Sequence, residues 1–111
     1  MRARSIERGL AMALAGGVVV ASIALADTDR AVTIDNFTFG PNELTVPLGT
    51  EVVWTNRDDI PHTVVSAADP ALFRSRPLDT DDKFSVTFNT AGTHRYYCSI
   101  HPRMTGTVTV R

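Results

Sequence analysis

From Ala31 onward, apolar and polar residues alternate with a period of two, the repeat of a strand that buries one face. "AVTIDNFTF" alternates through Val32 and Ile34 and then through Phe37 and Phe39, with room for a register change near Asn36. After the turn "GPN", "ELTVPLG" sets Leu44 and Val46 on one face, and "TEVVWTN" does the same with Val52 and Trp54. "HTVVSA" is a short fifth run, "KFSVTFN" alternates through Phe84, Val86 and Phe88, and "AGT" turns into "HRYYC". "TGTVTVR" closes the chain with Val108 and Val110. About seven to eight short strands broken by Gly, Pro, Asn and Asp predict an all-β fold, an antiparallel β-sandwich with Greek-key connections. Residues 66–82, "SAADPALFRSRPLDTDD", are the one long irregular stretch, read as a surface loop with a single helical turn around Pro70 to Phe73.

The first residues follow a different rule. "MRARSIERGLAMALAGGVVVASIALADTD" carries Arg2, Arg4 and Arg8, then an apolar run from Gly9, then Ala24-Leu25-Ala26. A basic start, an apolar middle and a small-residue site are the order a secretory signal requires. Residues 1–26 are therefore predicted to be a signal peptide and 27–111 the exported domain, in the periplasm or an equivalent compartment. The alternative is an uncleaved anchor, since Gly9 to Ala26 is nearly long enough to span a bilayer. Its Ala and Gly content dilutes the hydrophobicity and favours cleavage. No Arg-Arg pair supports the twin-arginine route.

Composition then narrows the partners. The part from Asp27 on carries seven Arg and Lys83 against eleven acids, a formal charge of −3 that is dispersed along the chain. Nothing in it suggests nucleic acid or an anionic membrane as a partner. A domain this small buries a limited core and benefits from a staple. With a single cysteine, Cys98, that staple is not an internal disulfide, and a lone thiol in an oxidising compartment is itself a liability. Metal ligation answers both difficulties.

The candidate chemistry sits in "YYCSIHPRMTG", residues 96–106, where Cys98, His101 and Met104 fall three apart. Arg95 is a poor core residue, so the preceding strand turns Cys98 inward with Tyr96 and His94. Pro102 fixes its own φ in the reversal that must follow. Such a reversal can aim thiolate, imidazole and thioether at one point, and His62, in "DDIPHTVVSA", begins a strand that can reach the same end of the sandwich. Thiolate and thioether are soft and imidazole borderline, a set that selects copper; trigonal His2Cys with a long axial Met is the electron-transfer arrangement. Zinc takes Cys and His but does not usually take a thioether. Calcium and magnesium require oxygen donors.

These segments resemble the small type 1 copper proteins of the cupredoxin family, of the plastocyanin and amicyanin kind. "IPHTVVSA" is similar to the first-histidine segment, and "AGTHRYYCSIHPRMTGTVTV" to the ligand loop and closing strand. The Cys-x2-His-x2-Met spacing is most similar to amicyanin. The resemblance implies that His62, Cys98 and His101 are equatorial copper ligands and that Met104 is axial. It also implies one copper cycling between +1 and +2 in an electron carrier that is not an enzyme. Two departures stand out: Thr63 where the family commonly has Asn, and His94 where it often has Tyr. Thr63 can brace the cysteine loop through its hydroxyl, with shorter reach.

The remaining polar residues have simpler readings. His94 reads as a core or half-buried histidine, Trp54 as core, and Asp79, Asp81 and Asp82 as a solvated loop. On the carrier reading, a monomer docks redox partner proteins transiently near His101, through a rim of Ile60, Pro61, Ile100 and Pro102. The alternative is a periplasmic copper carrier or chaperone, which tends to expose several exchangeable Met or His ligands. From Asp27 on the chain has one Met and three His. The exported protein is expected to begin at Asp27 by intact-mass analysis. A mass that still includes Met1 would make it an anchored protein.

Overall fold

The computed structural model describes residues 30–111, so the proposed signal segment lies outside the described residues. Eight strands form among them: β1 (Ala31–Asp35), β2 (Thr38–Gly40), β3 (Glu43–Val46), β4 (Thr50–Asn56), β5 (Val65–Ser66), β6 (Lys83–Phe88), β7 (Gly92–Tyr97) and β8 (Thr105–Val110). They make two four-stranded sheets, ordered β2-β1-β4-β6 and β3-β8-β7-β5. The fold is an all-β sandwich. Four pairings are antiparallel, but β1 lies parallel to β4 and β3 parallel to β8. Those two depart from an all-antiparallel sandwich. β1 and β3 each seek a partner in the sheet whose apolar face they complete, which the local alternation does not specify.

The alternation does decide which residues face inward. Val32 and Ile34 of β1, Leu44 and Val46 of β3, Val52 and Trp54 of β4, and Val108 and Val110 of β8 are all buried. At the centre, Trp54 meets Tyr96 edge to face with ring centroids 5.3 Å apart, joining the two sheets. A Cβ at Gly106 would run into the Tyr96 ring, so this position on β8 is closed to any larger residue.

Two segments differ from the sequence expectation. The β1–β2 connection is a two-residue hairpin, with Asp35 paired to Thr38, and both Asn36 (φ 52°) and Phe37 (φ 59°) are left-handed. That geometry suits Asn but is strained for Phe. Phe37 therefore leaves the strand face it was expected to share with Phe39; it is 49% exposed while Phe39 is buried.

Residues 66–82, expected to be a surface loop, instead fold back along the segment that carries His62. His62 N–H donates to Leu78 O (3.1 Å) and Leu78 N–H to His62 O (2.7 Å), while Val64 and Ser75 are joined by Ser75 N to Val64 O and Val64 N to Ser75 Oγ, both 2.9 Å. No helical turn forms at Pro70–Phe73; Phe73 packs against the core and Leu78 belongs to it. Pro70 and Pro77 interrupt any regular ladder here, so the pairing proceeds through isolated bridges rather than a strand. Leu78→Ala is expected to cost about 2–5 kcal/mol. Leu72→Ala, at a 65% exposed position of the same segment, should change stability by less than about 0.5 kcal/mol. Urea unfolding of the two variants compares them directly, and equal midpoints would return the segment to the status of a loose loop.

Candidate metal centre

One end of the sandwich collects the donors. His62 stands between β4 and β5, Cys98 directly follows β7, and His101 lies in the reversal before β8. That reversal is closed by two backbone bonds, Cys98 N to Met104 O (3.0 Å) and Met104 N to His101 O (2.9 Å). Met104 is buried in the same loop.

His62 is positioned through Asn56, a fully buried polar residue at the end of β4. The Asn56 amide donates to Ile60 O (3.0 Å) and Leu78 O (2.8 Å), and its Oδ1 accepts from Asp58 N (2.9 Å). Two of these bonds shape the turn ahead of His62, and the third ties that turn to Leu78 of the segment folded back along it. Without such partners, a buried amide at this position would be destabilising.

Cys98 Sγ lies 3.8 Å from His62 Nδ1 and 3.8 Å from His101 Nδ1, and the three donor atoms lie within 4.8 Å of one another. A metal about 2.3 Å from sulfur and about 2.0 Å from nitrogen, with roughly 120° between them, holds such donors about 3.8 Å apart. Both sulfur–nitrogen separations therefore fit a metal shared by Cys98 with the two histidines. His62 and Cys98 are fully buried and His101 is half-buried.

The sulfur is prepared as an anion. Burial pushes the Cys98 thiol up, but the N–H donors around it, the Thr63 amide at 3.3 Å first among them, outweigh it and bring it down to about 6. Thr63 also spans the two loops by its hydroxyl. Ser99 N–H donates to Thr63 Oγ1 (2.7 Å), which also lies 2.8 Å from Ser99 Oγ and 3.7 Å from Sγ. The shorter side chain thus reaches the cysteine loop.

Sequence reasoning missed two neighbours of the site. Asp58 Oδ2 accepts from His62 Nε2 (2.8 Å) and from Phe37 N–H (3.0 Å); the Phe37 amide and then the His62 ring hold its carboxyl below the ordinary range. Phe37 sets its ring edge-on to both imidazoles, with centroids 5.6 Å from His62 and 5.1 Å from His101. The signal for Asp58 was its place four residues before His62 in "DDIPH"; Phe37 gave none, because it alternates like a strand residue. His94 lies outside the site, bonded through Nε2 to Thr90 O (2.8 Å) and tilted against the Phe88 ring with centroids 5.2 Å apart. The half-buried His101 shares a surface cleft with Phe37, Ile100, Pro102, Arg103 and Met104, while Pro61, beside His62 in sequence, is exposed and Ile60 partly so.

The family model for copper binding proteins of the plastocyanin/azurin family matches residues 26–111. The chain belongs to that family. It is 34% identical to amicyanin of Paracoccus denitrificans over 93 residues, covering 81% of this chain and 71% of the relative. Amicyanin-alpha of Methylorubrum extorquens is 32% identical over 118 residues, 99% of each chain. Among solved structures, a purple cupredoxin from Nitrosopumilus maritimus superposes with a TM-score of 0.70 at 38% identity, covering 75% of this chain and all of the other. A variant of amicyanin in its Cu(I) form gives 0.69 at 34% identity, covering 73% and 80%. The donors brought together here fit the copper that the family binds.

The pH dependence of the metal-free protein follows from Cys98. Its folded value of about 6 lies below its ordinary value of 9.0, so its contribution to stability is complete above about pH 9 and lost as pH falls to about 6. Metal-free wild type should gain stability on going from pH 6 to pH 9, measured by urea unfolding. A Cys98→Ser variant should lack that gain; an equal gain in the variant would mean the thiolate is not stabilised.

Proposed function

We propose that the chain is an exported one-electron carrier in which His62, Cys98 and His101 hold one copper ion equatorially and Met104 is the axial ligand. The observation that carries this reading is the convergence of Sγ and two Nδ1 atoms at matching 3.8 Å separations. When bound, copper supplies a centre that cycles between +1 and +2. Variants of amicyanin have been solved, one in an oxidised state and another in a Cu(I) form.

The chain's own residues supply the rest. Cys98 offers a thiolate already stabilised by the Thr63 N–H, so little rearrangement is needed to bind a cation. His62 and Cys98 are closed off from water, which keeps the surroundings equally ordered in both charge states. His101 is the half-buried donor and supports an electron exit at the surface, beside Phe37, Ile100 and Pro102. A small exposed apolar patch suits brief docking of a redox partner protein by a monomer. The burial of His62 and Cys98 argues against a copper chaperone, whose ligands must exchange. Export rests on the signal pattern of residues 1–26, and the family match from residue 26 supports a domain beginning at Asp27. The reading is of a carrier, not an enzyme.

A visible spectrum of the oxidised, copper-loaded protein tests the centre. An intense band toward the red, from Cys98 thiolate to copper, is expected in wild type and absent in Cys98→Ser. Met104 is tested by potential. A long thioether donates little charge and favours Cu(I), whereas an oxygen donor favours Cu(II). Met104→Gln should lower the potential and Met104→Leu should raise it, both proteins staying coloured. Shifts of the same sign, or none, would make Met104 a core residue only.

A further inference from the structure

The Asp58 carboxylate is not among the proposed ligands, yet a single oxygen of it makes two bonds beside them. Oδ2 accepts from His62 Nε2 at 2.8 Å and from Phe37 N–H at 3.0 Å. A carboxylate has no proton to give, so the imidazole must be the donor, and its proton resides on Nε2. That leaves the lone pair on Nδ1, the nitrogen 3.8 Å from Cys98 Sγ. A ring with the opposite tautomer would present N–H to the metal position and could not ligate. The ring is fully buried, so water is not available to make the choice.

The second bond extends the effect. By holding the Phe37 amide, Asp58 stabilises a hairpin whose two central residues are both left-handed, and so keeps the Phe37 ring edge-on to His62 and His101. We propose that Asp58 is a positioning residue of the copper centre: it fixes the Nε2–H tautomer and the angle of His62, anchors Phe37 over the two histidines, and places a negative charge behind the ligand that favours Cu(II). This rests on the copper reading above. Carboxylate–histidine–metal arrangements of this kind raise the basicity of the ligating nitrogen.

Two variants separate the parts. Asp58→Asn keeps an acceptor oxygen and removes the charge; Asp58→Ala removes both. The fold should tolerate either, because Asp58 is tied into its turn by backbone atoms: its N–H donates to Asn56 Oδ1 and its carbonyl accepts from Thr80 Oγ1. In the metal-free protein at pH 8, the imidazole nitrogen-15 shifts of His62 should report the Nε2–H tautomer in wild type and Asp58→Asn, and a mixture in Asp58→Ala. In the copper-loaded protein, Asp58→Asn should move the Cu(II)/Cu(I) balance toward Cu(I) by about threefold or more, with the charge-transfer band retained. Asp58→Ala should in addition lose about tenfold or more in Cu(II) affinity. If wild type is coloured and both variants match it in tautomer, potential and affinity, the role of Asp58 is overturned while the copper centre stands. If wild type takes up no copper, both fall.

Discussion

The site depends on a single contact between loops far apart in sequence, the Thr63 N–H aimed at Cys98 Sγ. A buried sulfur anion is costly unless donors surround it. Here the first of those donors, the Thr63 amide, comes from the segment that also carries His62, so the bond stabilising the thiolate also brings the first histidine beside it. Thr63 has one hydroxyl proton to place. Its oxygen already accepts from Ser99 N–H, so the proton is directed either to Ser99 Oγ or to Sγ, and the two loops are joined in both cases. The Asn common at this position in the family would join them with an amide; Thr63 does so with fewer atoms, using Ser99 as the second half of the link.

Around that contact the fold spends polar groups and strain at one end of the sandwich. Asn56 is buried with both side-chain hydrogen-bonding atoms used, on the His62 turn and on Leu78 O. Phe37 adopts a backbone conformation costly for a bulky residue, of the kind that persists where surrounding structure over-determines it. The Trp54–Tyr96 contact in the middle of the sandwich is edge-to-face ring packing that also buries the Trp54 indole nitrogen and the Tyr96 hydroxyl, and it joins the two sheets beneath the strained end.

What was legible in the sequence follows the range of the interactions. The strands could be read because each inward face is recorded within five or six residues, as in Val32 and Ile34 or Val108 and Val110. Cys98, His101 and Met104 could be read together because one short reversal holds them, and His62 because its flanking residues resemble a known segment. The parallel pairing of β1 with β4 could not, since strand direction depends on partners chosen across the chain. Leu78 was hidden among prolines and acids, where its only regular feature is a bridge to His62. Phe37 was misread for a sharper reason. Its alternation is that of a strand, and only the left-handed turn at Asn36 and Phe37 turns the ring out toward the histidines.

These restraints are not shared equally between the two histidines, and the inequality has a direction. His62 is held at its backbone by paired bonds to Leu78 and at its ring by Asp58, and is itself out of contact with solvent. His101 is held through its carbonyl by the Met104 amide and at its ring by the edge of Phe37, and it stands half-buried among exposed apolar residues. A centre that must keep its geometry when its charge changes benefits from firm anchoring on the side where the protein is continuous. One that must also exchange electrons with a second protein needs a conjugated ring close to the surface on the other side. The same end of the sandwich provides both, because the donor loop with the fewest restraints is also the one that closes the chain's last reversal at the surface.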